Sequence, residues 1–262
     1  MFTNKVVWIT GASSGIGVEM ARQLSKRGAR VVLSSRKEDK LLEVQKTLTN
    51  PEMHFVVPLD LEQNTGFDVL AKKVYDHFGQ IDFLFNNGGL SQRSNVRDTP
   101  MEVDRRIMEI NYFGNVALTK AVLPYMEAQK SGHIVVISSI AGKFGFFLRS
   151  AYSASKHALQ GFYESLSLEE EQFGINVTIA CPGKINTEIS LNALNSSGEQ
   201  HGEMDHNQET GMSAEECVSI LLTAVSKNKK EVLIGNKEIK AVTLKRFLPK
   251  LFWKVIKKQS AT

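Results

Sequence analysis

Short β-branched runs alternate with stretches of helical periodicity along almost the whole chain, and this rhythm constrains the fold more than any other feature. Strand-like runs fall at Val6–Thr10, Arg30–Ser34, 54–58, Phe83–Asn86, 133–138, 176–181 and Glu231–Ile234, seven in all. Between them apolar residues recur at helical spacing in 17–27, 40–48, Phe67–Phe78, 101–126 and 153–172, with Pro100 and Pro124 near segment boundaries. Strands joined through helices pair in parallel, because a crossover is needed to return the chain to the same end of the sheet. The pattern therefore predicts an α/β fold, a doubly wound seven-stranded parallel sheet with helices on both faces. With 262 residues and 42% hydrophobic content the chain can bury one large core, so a single domain is expected over 1–238. Two segments break the rhythm. Residues 190–212 are polar and rich in Asn, Ser, Gly and Glu and read as a mobile loop on the substrate side. Residues 239–262 form an appended tail whose stretch 239–258 is basic and apolar by turns, predicting a separate basic amphipathic helix.

Composition narrows the function classes. A net charge of +4, evenly spread, gives no nucleic-acid surface. Only Cys181 and Cys217 are present, one in an apolar run and one in a helical pattern, so neither a disulfide framework nor a zinc site can be built, and no metal is expected. The chain opens into a strand-like run without a basic-then-apolar leader and holds no apolar stretch of spanning length, so a cytoplasmic location is expected, with peripheral membrane contact left to the tail.

Directly after the first strand comes Thr10-Gly11-Ala12-Ser13-Ser14-Gly15-Ile16-Gly17, which leads into a helix. Glycines there let the backbone approach a pyrophosphate, and the helix N-terminus offers free N–H groups to its charge. Many strand-to-helix turns carry glycines for packing alone; it is the placement after strand one that points to a dinucleotide and to a Rossmann-type sheet. At the end of the second strand the chain reads Leu33-Ser34-Ser35-Arg36-Lys37, with no carboxylate to hold an adenosine 2′-hydroxyl. Arg36 offers a fork for a 2′-phosphate with Ser35 and Lys37 beside it, which favours NADP(H) over NAD(H); a solvated basic turn is the plain alternative.

Tyr152-Ser153-Ala154-Ser155-Lys156 begins a helical stretch, and four-residue spacing sets phenol and ammonium on one face. A nearby cation favours phenolate and makes Tyr152 a usable acid or base. Alone, this spacing equally describes a core-edge tyrosine beside a solvated lysine. Ser139, at the end of the fifth strand, offers a hydroxyl to a developing oxyanion, or else simply satisfies a turn.

With these residues in view, the chain resembles the short-chain dehydrogenase/reductase family over nearly its whole length. The resemblance is carried by Thr10-Gly-x-x-x-Gly-x-Gly17, Asp60, Asn86-Asn87-Gly88, Asn111, Ser139, Tyr152, Lys156 and Pro182-Gly183 with Thr187. Asn86-Asn87-Gly88-Gly89 followed by Ser91-Gln92-Arg93-Ser94 is similar to the dehydrogenase/reductase member-seven group and, further off, to the 11β-hydroxysteroid dehydrogenase type. The resemblance implies that Tyr152 donates or accepts the proton, Ser139 orients the substrate oxygen, Lys156 binds the nicotinamide ribose and lowers the tyrosine pKa, and Asn111 holds a water in the proton relay. It further implies that Gly11, Ser13, Ser14, Gly15, Ile16 and Gly17 hold the pyrophosphate and that Asp60 and Leu61 flank the adenine. Asn87 and Gly88 would line the adenosine ribose side, and Ile185 and Thr187, after Pro182-Gly183, would hold the carboxamide and phosphate. One departure is Gly89, where the family usually has Ala; a change in local flexibility is expected from it. Members commonly pair through two long helices, implying a homodimer or homotetramer here.

The implied reaction is hydride transfer between nicotinamide and a carbonyl or secondary alcohol. Phe144, Phe146, Phe147 and Leu148, with Leu191 and Leu194, suit a hydrophobic substrate, whether steroid-like, lipid-like or aromatic, though ordinary loop packing would use the same residues. Arg93 and Arg149 either meet an anionic substrate group or are solvated. In 244–258 lysines interleave with Phe247, Leu251, Phe252 and Trp253, as in an interfacial helix; covering a subunit interface or the substrate entrance is the equal alternative. A non-catalytic NADP(H)-binding sensor or scaffold is the rival reading, and it would not need Ser139, Tyr152 and Lys156 together.

Overall fold

The computed structural model describes residues 1–259; the last residues of the expected tail, 260–262, lie outside the described residues. Its sheet comprises β1 (Val6–Thr10), β2 (Arg30–Ser34), β3 (Phe55–Val56), β4 (Phe83–Asn86), β5 (Gly132–Ile137), β6 (Ile175–Pro182) and β7 (Glu231–Ile234), in the order β3-β2-β1-β4-β5-β6-β7. Every neighbouring pair is parallel. The chain winds outward from β1 to β3, then returns to the other side of β1 with β4. That reversal opens a crevice at the carboxyl ends of β1 and β4, where open α/β sheets bind their ligands.

The helices are α1 (Gly15–Lys26), α2 (Glu38–Lys46), α3 (Phe67–Phe78), α4 (Met101–Met108), α5 (Gly114–Gln129), α6 (Ser150–Glu169), α7 (His206–Glu209), α8 (Ala214–Ser226), α9 (Lys240–Phe247) and α10 (Pro249–Ile256). Strand periodicity sorts the core into two layers. Val7, Ile9, Val31, Leu33 and Val135 pack against Met20 and Leu24 of α1 and Leu221 of α8 on one face. Val6, Trp8, Val32, Ile134 and Val136 meet Val74 of α3, Val122 of α5 and Tyr163 of α6 on the other. The expected doubly wound sheet is thus present, with the site residues carried at one end of it.

Several local expectations are corrected. The third strand shortens from 54–58 to Phe55–Val56; just before it the His54 ring accepts from Val31 N at 3.1 Å. The stretch 101–126 is not one helix but α4, a π turn over Glu109–Phe113, and α5. Pro124 lies inside α5 rather than at a boundary, on the exposed side, where water can take the carbonyl it frees. The tail is two helices, since Pro249 cannot continue α9 and drives Leu248 out of helical geometry. Apart from these corrections, segment 190–212, read from the sequence as a mobile loop, meets the body through Arg93 N to Leu194 O at 2.8 Å and Leu194 N to Ser91 O at 2.9 Å.

Candidate active site

The turn after β1 is shaped for close approach. Gly11 sits at φ +64°, and a Cβ on Gly17 would lie 2.0 Å from Gly11 O, so the turn closes only without a side chain there. Ser14, extended at φ −158°, makes no side-chain cap, so no side chain of the N-cap takes up the first N–H groups of α1. Asn87 Nδ2 donates to Thr10 O at 3.0 Å and to Gly11 O at 3.3 Å, while Thr10 Oγ1 accepts from Asn87 N and Gly88 N at 3.0 and 2.9 Å. The Asn87 amide is therefore committed to bracing the turn, a task the sequence had not assigned to it. Ser13, Ser14, Gly15 and Thr187 share a groove of about 460 Å³. Leu61 lies against Gly88, and Asp60 Oδ1 accepts from Glu62 N at 3.0 Å. At the end of β2 the Ser35 hydroxyl is buried without a hydrogen-bond partner among the described residues, with Arg36 exposed next to it. A glycine cradle and an open helix N-terminus fit the pyrophosphate of a nicotinamide dinucleotide.

The reacting groups assemble across β5, β6 and α6. Ser139 caps a short 3₁₀ turn: its Oγ accepts from Ala141 N at 3.1 Å and donates to Pro182 O at 3.3 Å. Tyr152 stands in the first turn of α6 and Lys156 one turn later, both buried. Lys156 Nζ donates to Ile137 O at 2.7 Å and lies 5.7 Å from the Tyr152 ring centroid. Burial pushes the ammonium down to about 8. Burial also dominates at Tyr152 and holds the phenol above its ordinary value, with the Ser139 hydrogen bond and the Arg93 and Arg149 charges opposing it. The net shift at the phenol is therefore upward although Lys156 was expected to draw it downward; the lysine is itself desolvated and donates to a backbone carbonyl.

Asn111 sits in the π turn, a kind of helix irregularity that is frequent at functional sites. Its Oδ1 accepts from Leu90 N at 2.7 Å, and its Nδ2 donates to Leu90 O at 2.9 Å and Ser155 Oγ at 3.0 Å. Gly89 faces this group, since a Cβ there would lie 2.9 Å from Asn111 Oδ1 and 3.6 Å from Lys156 Nζ. The departure at position 89 therefore bears on the Asn111 and Lys156 side chains rather than on flexibility alone.

A profile described as short chain dehydrogenase matches residues 5–197. The chain belongs to the short-chain dehydrogenase family. It is 43% identical over 259 residues to the mouse protein named Dehydrogenase/reductase SDR family member 7B, covering 97% of this chain and 80% of that one. It is 40% identical to a Drosophila melanogaster Dehydrogenase/reductase SDR family protein 7-like, covering 98% and 80%. Among solved structures, Levodione Reductase superposes with a TM-score of 0.81 at 25% identity, over 92% of this chain and all of that one. A Burkholderia phymatum short chain dehydrogenase/reductase in complex with NAD gives 0.84 at 23% identity over 95% of each, showing the shared fold.

In this short-chain dehydrogenase a cleft of about 910 Å³ runs from Ile16 and Asn87 past Ser139, Tyr152 and Lys156, with Pro182, Gly183, Ile185 and Thr187 along one side. Phe144 and Phe146 line it as expected, but Phe147, Leu148, Leu191 and Leu194 do not. Leu194 instead packs with Val103, Ile107 and Ala151. The wall they were expected to form comes from the tail, through Leu244, Phe247, Leu248 and Ile256. Phe252 anchors that tail against Phe144, ring centroids 5.3 Å apart. Sequence reading also missed Gln92, whose Oε1 accepts from Ala151 N at 2.8 Å and Tyr152 N at 3.4 Å and so caps the helix bearing the tyrosine. Arg93 and Arg149, read as substrate-binding or solvated, both pair with buried Asp205. Neither Gln92 nor Asp205 carries a local signal, because each acts on a partner far away in sequence.

Proposed function

We propose that the chain is an NADP(H)-dependent oxidoreductase interconverting a carbonyl group and a secondary alcohol on an apolar substrate, with Tyr152 exchanging the proton. The observation that carries this reading is convergence: Ser139, Tyr152 and Lys156 line the same cleft as Ile16 of the glycine turn and the apolar wall of Phe144, Phe146, Leu244 and Phe247. When bound, the dinucleotide supplies or accepts the hydride. The rest falls to the protein. Tyr152 is protonated at neutral pH, the state needed to donate to a carbonyl oxygen, and burial shifts it further that way; the Ser139 hydroxyl, which rests on Pro182 O, would turn from that carbonyl to orient the substrate oxygen. Lys156, brought down to about 8, lies close enough to working pH to pass a proton to or from the phenol side. Apolar walls exclude water and favour a steroid-like, lipid-like or aromatic substrate. An NADPH-oxidation screen over ketosteroids, retinal, quinones and aromatic diketones tests the reading; turnover of at least one class is expected. Binding of NADPH with no turnover of any would favour a sensor or scaffold.

Cofactor choice rests on Arg36 with Ser35. Arg36→Ala should raise KM for NADPH about tenfold while leaving that for NADH nearly unchanged. Equal changes in steady-state titrations of the two cofactors would remove the phosphate-fork argument.

The tail adds a membrane-surface component to the proposal. No helix among the described residues is long and apolar enough to cross a membrane. Yet α9 and α10 carry Lys245, Arg246, Lys250 and Lys254 with no acidic residue between them, and Leu251 and Trp253 are exposed. Cations beside exposed aromatic and aliphatic groups suit an anionic bilayer surface. Leu251→Ser with Trp253→Ser, two residues that do not line the cleft, should weaken co-sedimentation with phosphatidylserine vesicles about tenfold or more. Unchanged co-sedimentation would assign the tail to the cleft wall alone.

A further inference from the structure

Asn115, the second residue of α5, is 1% exposed and does not line the cleft, yet its side-chain amide reaches three backbone carbonyls. Nδ2 donates to Asn111 O at 2.9 Å, Ile110 O at 3.3 Å and Gly88 O at 3.2 Å. Three acceptors around one atom fix the orientation of the amide, because only its nitrogen can donate to them. Two of these carbonyls belong to the π turn. There Gly114 N donates to Glu109 O, five residues back, so the backbone ladder widens by one residue across Ile110 and Asn111. The Asn115 amide supplies a donor where that widening loosens the ladder.

The third carbonyl ties the turn to the strip after β4. Asn115 holds that strip at Gly88 O, and Asn111 holds it two residues on, accepting from Leu90 N and donating to Leu90 O. Gly88 N in turn donates to Thr10 Oγ1 at the glycine turn, and Asn111 Nδ2 donates to Ser155 Oγ, beside Lys156. Asn115 is braced from behind as well, since its backbone carbonyl accepts from Tyr163 OH at 3.3 Å. Next to it a Cβ on Gly114 would lie 2.3 Å from Leu61 O, so the start of α5 is seated closely.

We propose that Asn115 is a positioning residue that holds the π turn and so sets Asn111 against Leu90 and Ser155, beside the reacting groups. Without its amide the segment can regain α-helical bonding. A one-residue change of register turns a side chain about 100° around the helix axis, which takes Asn111 away from Leu90.

The effect of Asn115 on turnover rests on the proposed reaction; its effect on the placement of Asn111 does not. Placement is read by amide hydrogen exchange on the full ¹⁵N-labelled chain, without substrate. In Asn115→Ala the Leu90 N–H should speed about tenfold more than the amides of β1, which lies inside the sheet between β2 and β4. Asn115→Ser should restore part of that protection, because a serine hydroxyl reaches the carbonyl four residues back, here Asn111 O. Single-turnover NADPH oxidation should slow about ten- to hundredfold in Asn115→Ala and recover in step in Asn115→Ser. A Leu90 N–H that is unchanged, or speeds only as much as β1, makes Asn115 an ordinary core residue and overturns the proposal. An unchanged turnover rate beside a released Leu90 N–H overturns it too. If the parent turns over no substrate, the proposed reaction fails and exchange alone decides the placement. Should Asn115→Ala not fold, Asn115→Leu fills the space without a donor and is read in the same way.

Discussion

Tyr152→Phe is expected to lower kcat by about 10²- to 10⁴-fold with a good carbonyl substrate, while the dissociation constant for NADPH changes little. Only one oxygen is removed, and the ring that fills the cleft wall stays. Tyr152 is nearly buried, so solvent water cannot readily stand in as proton donor to a substrate oxygen held there. Ser139 is a poor substitute, because its hydroxyl already donates to Pro182 O and accepts from Ala141 N. Lys156 is turned to Ile137 O. The measurement is single-turnover NADPH oxidation beside cofactor titration by fluorescence. Retention of most of the single-turnover rate would remove Tyr152 from the reaction, and a parallel loss of cofactor affinity would assign it to binding.

Where the sequence was informative, the deciding physics was local. The glycine turn reads directly because φ at Gly11 and the contact between Gly17 and Gly11 O are properties of a few consecutive residues. The parallel, doubly wound arrangement follows from the alternation of periods, and the face to which each strand residue points follows from its parity. The four-residue spacing of Tyr152 and Lys156 reads as well, since a helix places them on one side. What did not read was the sign of the tyrosine shift. A lysine nearby argues for phenolate, but the balance is struck by burial, which depends on β5, β6 and the tail closing around the pair.

Long-range partners were the other gap. Asp205 lies 112 residues from Arg93 and 56 from Arg149, and nothing in the composition of a polar loop distinguishes one of its acids from another. The tail was legible as basic and amphipathic, but its inner face is recognised only through Phe144, more than a hundred positions earlier, so its place over the cleft could not be chosen among the alternatives. Pro249 was visible in the sequence and should have divided the tail into two helices on backbone grounds alone. The π turn around Asn111 had no comparable marker.

The stability of the folded chain should fall as pH drops from 6.5 toward 4, and His133 should account for about 3 kcal/mol of the loss in full. This side chain is 3% exposed in β5, and its ring stacks on Phe83 with centroids 5.6 Å apart. Thr178 Oγ1 spends its hydrogen on Lys229 O at 2.7 Å, so the 2.8 Å contact with His133 Nε2 must be donated by the imidazole. A neutral ring with the proton on Nε2 satisfies that geometry; a second proton would put a charge into the sheet interior, where no carboxylate among the described residues pairs with it. Desolvation accordingly brings His133 from 6.5 to about 4. Because the folded pKa lies below the unfolded one, the contribution is complete above 6.5 and is lost as pH falls through the folded value. His54 acts in the same sense, since its Nδ1 must stay unprotonated to accept from Val31 N, and burial lowers it too. His133→Gln keeps a donor for Thr178 and has nothing to titrate. Urea unfolding at pH 7 and pH 4.5 should show the variant losing about 2 kcal/mol less than the parent over that interval; equal losses would mean that the acid sensitivity of this fold lies in its carboxylates instead.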